Sequence, residues 1–170
     1  GGIGTREILA AARFAGSHAA HPLLRGMVGL AGLADLPEEA LDAAAELTQR
    51  VGLQACVGED ESDLARTFAR WGRRPVEVLS ASGLLGPRTV VAHAGTAVHA
   101  EGVAIADAGA TLAITPRAAM LRGAPLPPPG GSMNLVRVHH LLGSSLSCSF
   151  STVTSTSTSC TQKPCSSVSM

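Results

Sequence analysis

Four short apolar runs recur along the chain with amphipathic stretches between them: LLRGMVGL (23–30), LQACV (53–57), TVVAH (89–93) and TLAIT (111–115). Few folds accommodate that alternation. A run with no solvated face belongs in a sheet that is covered, and the intervening helices supply the cover. Residues 34–52 read as a helix: Asp35 can cap it with Glu38, Pro37 sits in the first turn and Gly52 ends it. Leu41, Ala44, Ala45 and Thr48 form one face of that helix, opposite Glu38, Asp42, Glu46 and Gln49. Residues 59–72 form a second helix, with acids early, arginines late and Gly72 to stop it, an order that suits the helix dipole. A shorter helix lies within 74–86, ending near Gly83, and another spans 98–109; Pro116 stops the last apolar run. The pattern predicts an α/β fold with parallel strands, either an open doubly wound sheet or part of a (β/α)₈ barrel. No G-x-G-x-x-G or P-loop follows any strand, which argues against nucleotide binding.

Composition narrows the function classes. The 170 residues carry no net charge, and acids and bases are interspersed, so neither nucleic acid nor an anionic membrane is an expected partner. Apolar residues make up 45% of the chain but aromatics only 2%, so Ala, Leu and Val must build the core. No run approaches the roughly 18 apolar residues that span a bilayer. The opening GGIGTREILAAARFAG has no long apolar region of the secretory type, and a cytoplasmic location is expected. The first residue is not methionine, which reads as a piece of something longer.

A second composition begins after LPPPGG. Three stretches are expected: a folded domain over 1–125, a Pro/Gly-rich linker over 126–143, and a tail over 144–170. In that tail more than half the residues are Ser or Thr and Lys163 is the only charged side chain, a composition with little to bury and expected to be disordered. Cys148, Cys160 and Cys165 lie in it at spacings that fit no zinc signature.

The chemistry-bearing residues cluster in the first part. His93 stands at the exit of a buried strand, a common place for a metal ligand, and His99 follows closely. His18 and His21 are spaced H-x-x-H, but Pro22 turns the chain out of a helix there. His139 and His140 head the tail, and Gly1, Gly2 and Gly4 follow no strand that would make them a phosphate loop.

RRPVEVL (73–79), GLLGPRTVVAH (83–93) and the A-x-x-G-A-T of 106–111 carry a resemblance. With HPLLRGMVGL (21–30) and PEEALDAAAEL (37–47), the stretch resembles the amidohydrolase superfamily, more narrowly its chlorohydrolase, aminohydrolase and cyclic-amidine deaminase branch. The resemblance implies a (β/α)₈ barrel, of which this chain supplies about four strands. It also implies one or two divalent metals, zinc or iron, at the strand ends, activating water against a C–N or C–Cl bond of a small cyclic amidine or related substrate.

Carried over residue by residue, His93 falls on a metal ligand at the end of the family's sixth strand. Glu59 falls on the acid that handles protons after the fifth. Cys56 stands where that strand has a ligating histidine, and could coordinate as thiolate or pack as a small apolar side chain. Thr96 and Ile114 replace further histidines, Ala118-Ala119 replaces Ser-Asn, and Ala31 stands where a histidine would face the substrate. The first-strand H-x-H and the last-strand aspartate have no counterpart. Without a metal, Glu59 would be an ordinary first-turn acid, and His99 is a surface or capping residue.

Three readings follow: a fragment or relative of a metal-dependent amidohydrolase, inactive as this isolated chain; a non-catalytic pseudoenzyme or interaction module; or a truncated or frameshifted product. A part-barrel exposes sheet edges, so self-association is expected.

Overall fold

The computed structural model describes residues 4–127, 134–139 and 149–154. Helix α1 (Thr5–Ser17) precedes strand β1 (Val28–Leu30), α2 (Glu38–Val51) and β2 (Leu53–Val57). Next come α3 (Glu61–Trp71), α4 (Pro75–Ala81), β3 (Thr89–His93), α5 (His99–Asp107), β4 (Thr111–Ile114) and α6 (Pro116–Arg122). Strands β5 (Asn134–His139) and β6 (Ser149–Thr154) follow.

The six strands form one sheet in chain order, β1 to β5 parallel and β6 antiparallel to β5. That order separates the two α/β alternatives. A doubly wound sheet reverses direction at a switch point, whereas an unbroken sequential order with right-handed crossovers keeps its helices on one side, as a barrel does. The architecture is the expected part of a (β/α)₈ barrel. Strands β5 and β6 fall in stretches read from sequence as linker and tail; Cys148, Cys160, Cys165 and His140 lie outside the described residues.

Burial follows the same geometry. Leu53, Ala55 and Val57 of β2 join Leu30, Val91 and Leu112 in the core, against Leu41 and Ala44 of α2, Val76 and Leu79 of α4 and Ile105 of α5. Period-two alternation puts Gln54 and Cys56 on the opposite face. No helix among the described residues is long and apolar enough to cross a membrane.

Several local expectations change. The first strand is confined to Val28–Leu30, and Leu23 is 89% exposed, because pairing begins only where β2 begins, with Val28 opposite Leu53. Asp35 does not cap α2; Pro37 occupies that place without a side-chain bond, and Asp35 pairs with Arg66 at 3.1 Å. Helix α3 starts at Glu61, because the Asp60 carboxylate accepts from the Asp63 amide at 2.9 Å. Glu59 is therefore a loop residue, not part of a first helical turn. Helix α1, unassigned from sequence, buries Ile8, Ala12 and Ala15.

Helices α4 and α5 are tied together by a buried charge. Glu101 accepts from Arg74 Nε at 2.8 Å, the Val76 amide at 3.2 Å and the Val98 amide at 3.0 Å, while Arg74 also donates to the Thr96 carbonyl at 2.6 Å. Arg74 thereby ties the loop after β3 to the helix layer.

Candidate metal centre

Cys56, Glu59 and His93 come together at the C-terminal ends of β2 and β3. One ligand atom from each lies within 4.8 Å of the other two, and among the described residues this is the one His/Cys/Asp/Glu group with such spacing. The local chain explains how. Gly58 turns the chain after β2 at φ +59°, so that Glu59 returns above the strand end that carries Cys56. A Cβ on Gly58 would lie 2.8 Å from Thr96 Oγ1, because the turns after β2 and β3 pack on each other, with the Thr96 amide donating to the Gly58 carbonyl at 3.1 Å.

His93 requires a sharper device. In the sheet register it sits beside Val57, whose side chain is in the core, while Cys56 sits beside Ala92. Continued alternation would aim His93 away from Cys56. Instead His93 and Ala94 adopt φ +71° and +48°, a left-handed turn uncommon outside glycine, and this re-aims the imidazole towards Cys56 and Glu59. Thr115, just after β4, places Oγ1 2.7 Å from His93 Nδ1, which leaves Nε2 facing Glu59 Oε1 at 3.8 Å. Metal-ligating histidines are ordinarily oriented through their second ring nitrogen in this manner.

Burial sets the charge states. It pushes the His93 pKa down, partly opposed by the carboxylate of Asp63, so the ring is neutral at pH 7 and its separation from Glu59 is a spacing, not an ion pair. Burial pushes the Cys56 thiol up, against smaller opposing effects from Gln54 and Arg122, so the thiol is protonated at neutral pH. Asp63 is also pushed up by burial, although it accepts from the Glu59 amide at 3.3 Å.

The site is roofed. Glu59 Oε2 is engaged by Arg122 Nη1 from the end of α6. Residues Pro125, Leu126 and Pro127 line the same cavity as Glu59, His93 and Thr115, and only about 10 Å³ remains open there. That is the lower edge of what one water needs.

The structure separates His18, His21 and His99 from the site. His18 caps the end of α1 and its ring lies by the Phe14 carbonyl at 2.9 Å, while His21 accepts from the Leu23 amide. His99 is the exposed first residue of α5, with Val98 at the cap position. Three contributors were missed from sequence: Thr115, Arg122 and Asp63. Thr115, just before Pro116 at a strand end, could have been noticed as a site-facing hydroxyl; Arg122 carried no signal.

No protein-family profile matches the chain, and no curated protein sequence matches it. Solved structures do. An adenosine deaminase from Xanthomonas campestris with bound zinc superimposes at TM-score 0.70 with 17% identity, over 77% of this chain and 31% of that one. A guanine deaminase from C. acetobutylicum with guanine in its active site gives TM-score 0.66 and 16% identity over 78% and 34%. An atrazine chlorohydrolase from Arthrobacter aurescens TC1 complexed with zinc gives 0.58 and 17% over 81% and 34%. All three belong to the amidohydrolase superfamily, and this chain shares their fold. It spans about a third of the length of these structures.

Proposed function

We propose that this chain is a metal-binding part of a barrel hydrolase of the deaminase and chlorohydrolase type, in which Cys56, Glu59 and His93 hold one divalent ion, zinc in preference to iron. The convergence of thiol, carboxylate and imidazole within 4.8 Å at the C-terminal strand ends carries this reading. The donor set fits. Zinc takes sulfur, nitrogen and oxygen ligands, a catalytic site has three of them with one position open, and a thiolate favours zinc over harder ions. When bound, such a metal supplies Lewis acidity and lowers the pKa of water. His93 offers Nε2 with its ring held by Thr115, Cys56 gives up its proton on binding, and Glu59 Oε1, facing His93 Nε2, supplies the third ligand atom. The bond attacked would be C–N or C–Cl in a small cyclic amidine or related ring.

The isolated chain is inactive in this reading. Arg122 holds the carboxylate that must ligate the ion, and about 10 Å³ leaves no room for a substrate ring. The test is metal content of the purified chain, with turnover of guanine and related cyclic amidines assayed in parallel. One zinc per chain, absent from His93→Ala and reduced in Cys56→Ser, with no turnover, is expected; metal-free protein after zinc loading would refute the metal centre.

An association role is the second reading. Met120 and Leu121 are 80% and 78% exposed on α6, beside the site. A second copy of the chain covering them would make it an interaction module instead.

A further inference from the structure

We propose that the end of α6 and the residues after it form a stopper that a cation must displace, with Arg122 standing in beside Glu59 for the positive charge that the cation supplies. The inference rests on the metal reading of Cys56, Glu59 and His93, and concerns how that site opens.

Glu59 has two carboxylate oxygens with two different neighbours: Oε1 faces His93 Nε2 at 3.8 Å, and Oε2 accepts from Arg122 Nη1. The guanidinium therefore satisfies the negative charge that a divalent ion would otherwise find free. Its side chain is 48% exposed, reaching in from the protein surface and not built into the core. Helix α6 ends at Gly123, whose φ of +62° turns the chain back towards the site. Pro125 then lies directly on the loop after β3: a Cβ on Gly95 would come within 2.3 Å of the Pro125 carbonyl oxygen. Together these contacts leave about 10 Å³ of open space.

A cation on Cys56, Glu59 and His93 would put its charge within a few ångströms of the Arg122 guanidinium. Like charges at that range repel strongly in a partly buried site. The half-exposed Arg122–Glu59 pair is weak by comparison with a chelated divalent ion. Arg122 therefore leaves when the ion arrives, its side chain is freed from Glu59 for a protease's specificity pocket, and the roof of Pro125 to Pro127 lifts. Arrival of the metal is coupled to opening of the space beside it.

The test is limited tryptic digestion of the full chain, reading cleavage after Arg122 relative to cleavage after Arg73, which is exposed between α3 and α4. Zinc binding is measured separately by native mass spectrometry and chelator competition. With zinc bound, the Arg122 to Arg73 ratio should rise at least roughly twofold; Glu59→Gln should show that rise without zinc and no further response to it. Arg122→Ala should bind zinc roughly two- to fivefold more tightly. Zinc bound at unchanged ratio and unchanged affinity in Arg122→Ala would overturn the stopper and leave the metal centre standing. Zinc bound by Arg122→Ala but not by the natural chain would support the stopper in its strongest form. Failure of both to bind zinc would overturn the metal centre, and the stopper with it.

Discussion

Thr115 Oγ1 lies 2.7 Å from His93 Nδ1, joining the end of β4 to the end of β3 across the mouth of the site. The contact fixes which ring nitrogen faces Glu59 and Cys56. Replacing Thr115 with Val keeps the shape and removes the hydroxyl. Loss of such an orienting partner typically costs 10- to 100-fold in metal affinity, so zinc binding by Thr115→Val should weaken by about tenfold. Competition against a chromophoric chelator measures this, and unchanged affinity would show that His93 is oriented by its backbone alone.

Metal affinity should rise with pH. Burial raises the Cys56 pKa, so at neutral pH the thiol is protonated and binding must expel that proton. Burial lowers the His93 pKa, so the ring adds less pH dependence near pH 7 than an unperturbed histidine would. One proton released per zinc predicts an affinity increase of about tenfold per pH unit from neutral pH upward, until the thiol itself titrates. Calorimetry in buffers of different ionisation enthalpy counts the protons. In Cys56→Ser, which has no thiol to ionise, the slope should flatten.

Glu101 holds Arg74 and two backbone amides in a buried position. Removing one partner of a buried pair leaves the others uncompensated and commonly costs about 3–5 kcal/mol. Because Arg74 keeps some exposure and its bond to the Thr96 carbonyl, Glu101→Ala should sit near the lower end, about 3 kcal/mol by urea unfolding. Glu101→Gln, which keeps one acceptor oxygen but turns an NH2 group towards the donors of the other, should lose less than Glu101→Ala.

Gly58 should not tolerate a side chain. At φ +59° an L-residue costs about 1–2 kcal/mol, and the added Cβ would crowd Thr96 Oγ1 at 2.8 Å. Gly58→Ala should therefore lower the unfolding midpoint and also weaken zinc binding, because Glu59 is carried by the same turn. A stability loss with unchanged zinc affinity would separate the turn from the site.

Exposed Met120 and Leu121 predict concentration-dependent self-association. Met120→Lys combined with Leu121→Lys should shift sedimentation towards monomer. If the pair of lysines changes nothing, association, where present, runs through sheet edges such as β1 instead.

Much of the scaffold was legible in the residues themselves. LQACV and TVVAH are the strands β2 and β3 to the residue, and the acid-first, arginine-late order of 59–72 marks α3 closely. These signals are local, since burial of neighbouring residues imposes the period and the end groups answer to the helix dipole. Other boundaries depended on partners. Leu23 and Leu24 are as apolar as a strand demands, but no β2 residue lies opposite them. Asp35 has the chemistry of a cap and is held by Arg66, a residue 31 positions away.

The sequence by itself determined the alternation of strands and helices, and, through resemblance, singled out Cys56, Glu59 and His93. Only the tertiary structure decided that the three meet. Strand alternation would send His93 to the side of Val57, and the left-handed turn at His93 and Ala94 reverses it. The tertiary structure also brought Thr115 and Arg122 to that spot, from 22 residues beyond His93 and 63 beyond Glu59. Periodicity reports which face a residue takes within its own element. It carries no information about a backbone reversal or about which distant segment closes over a strand end, because those depend on packing between elements.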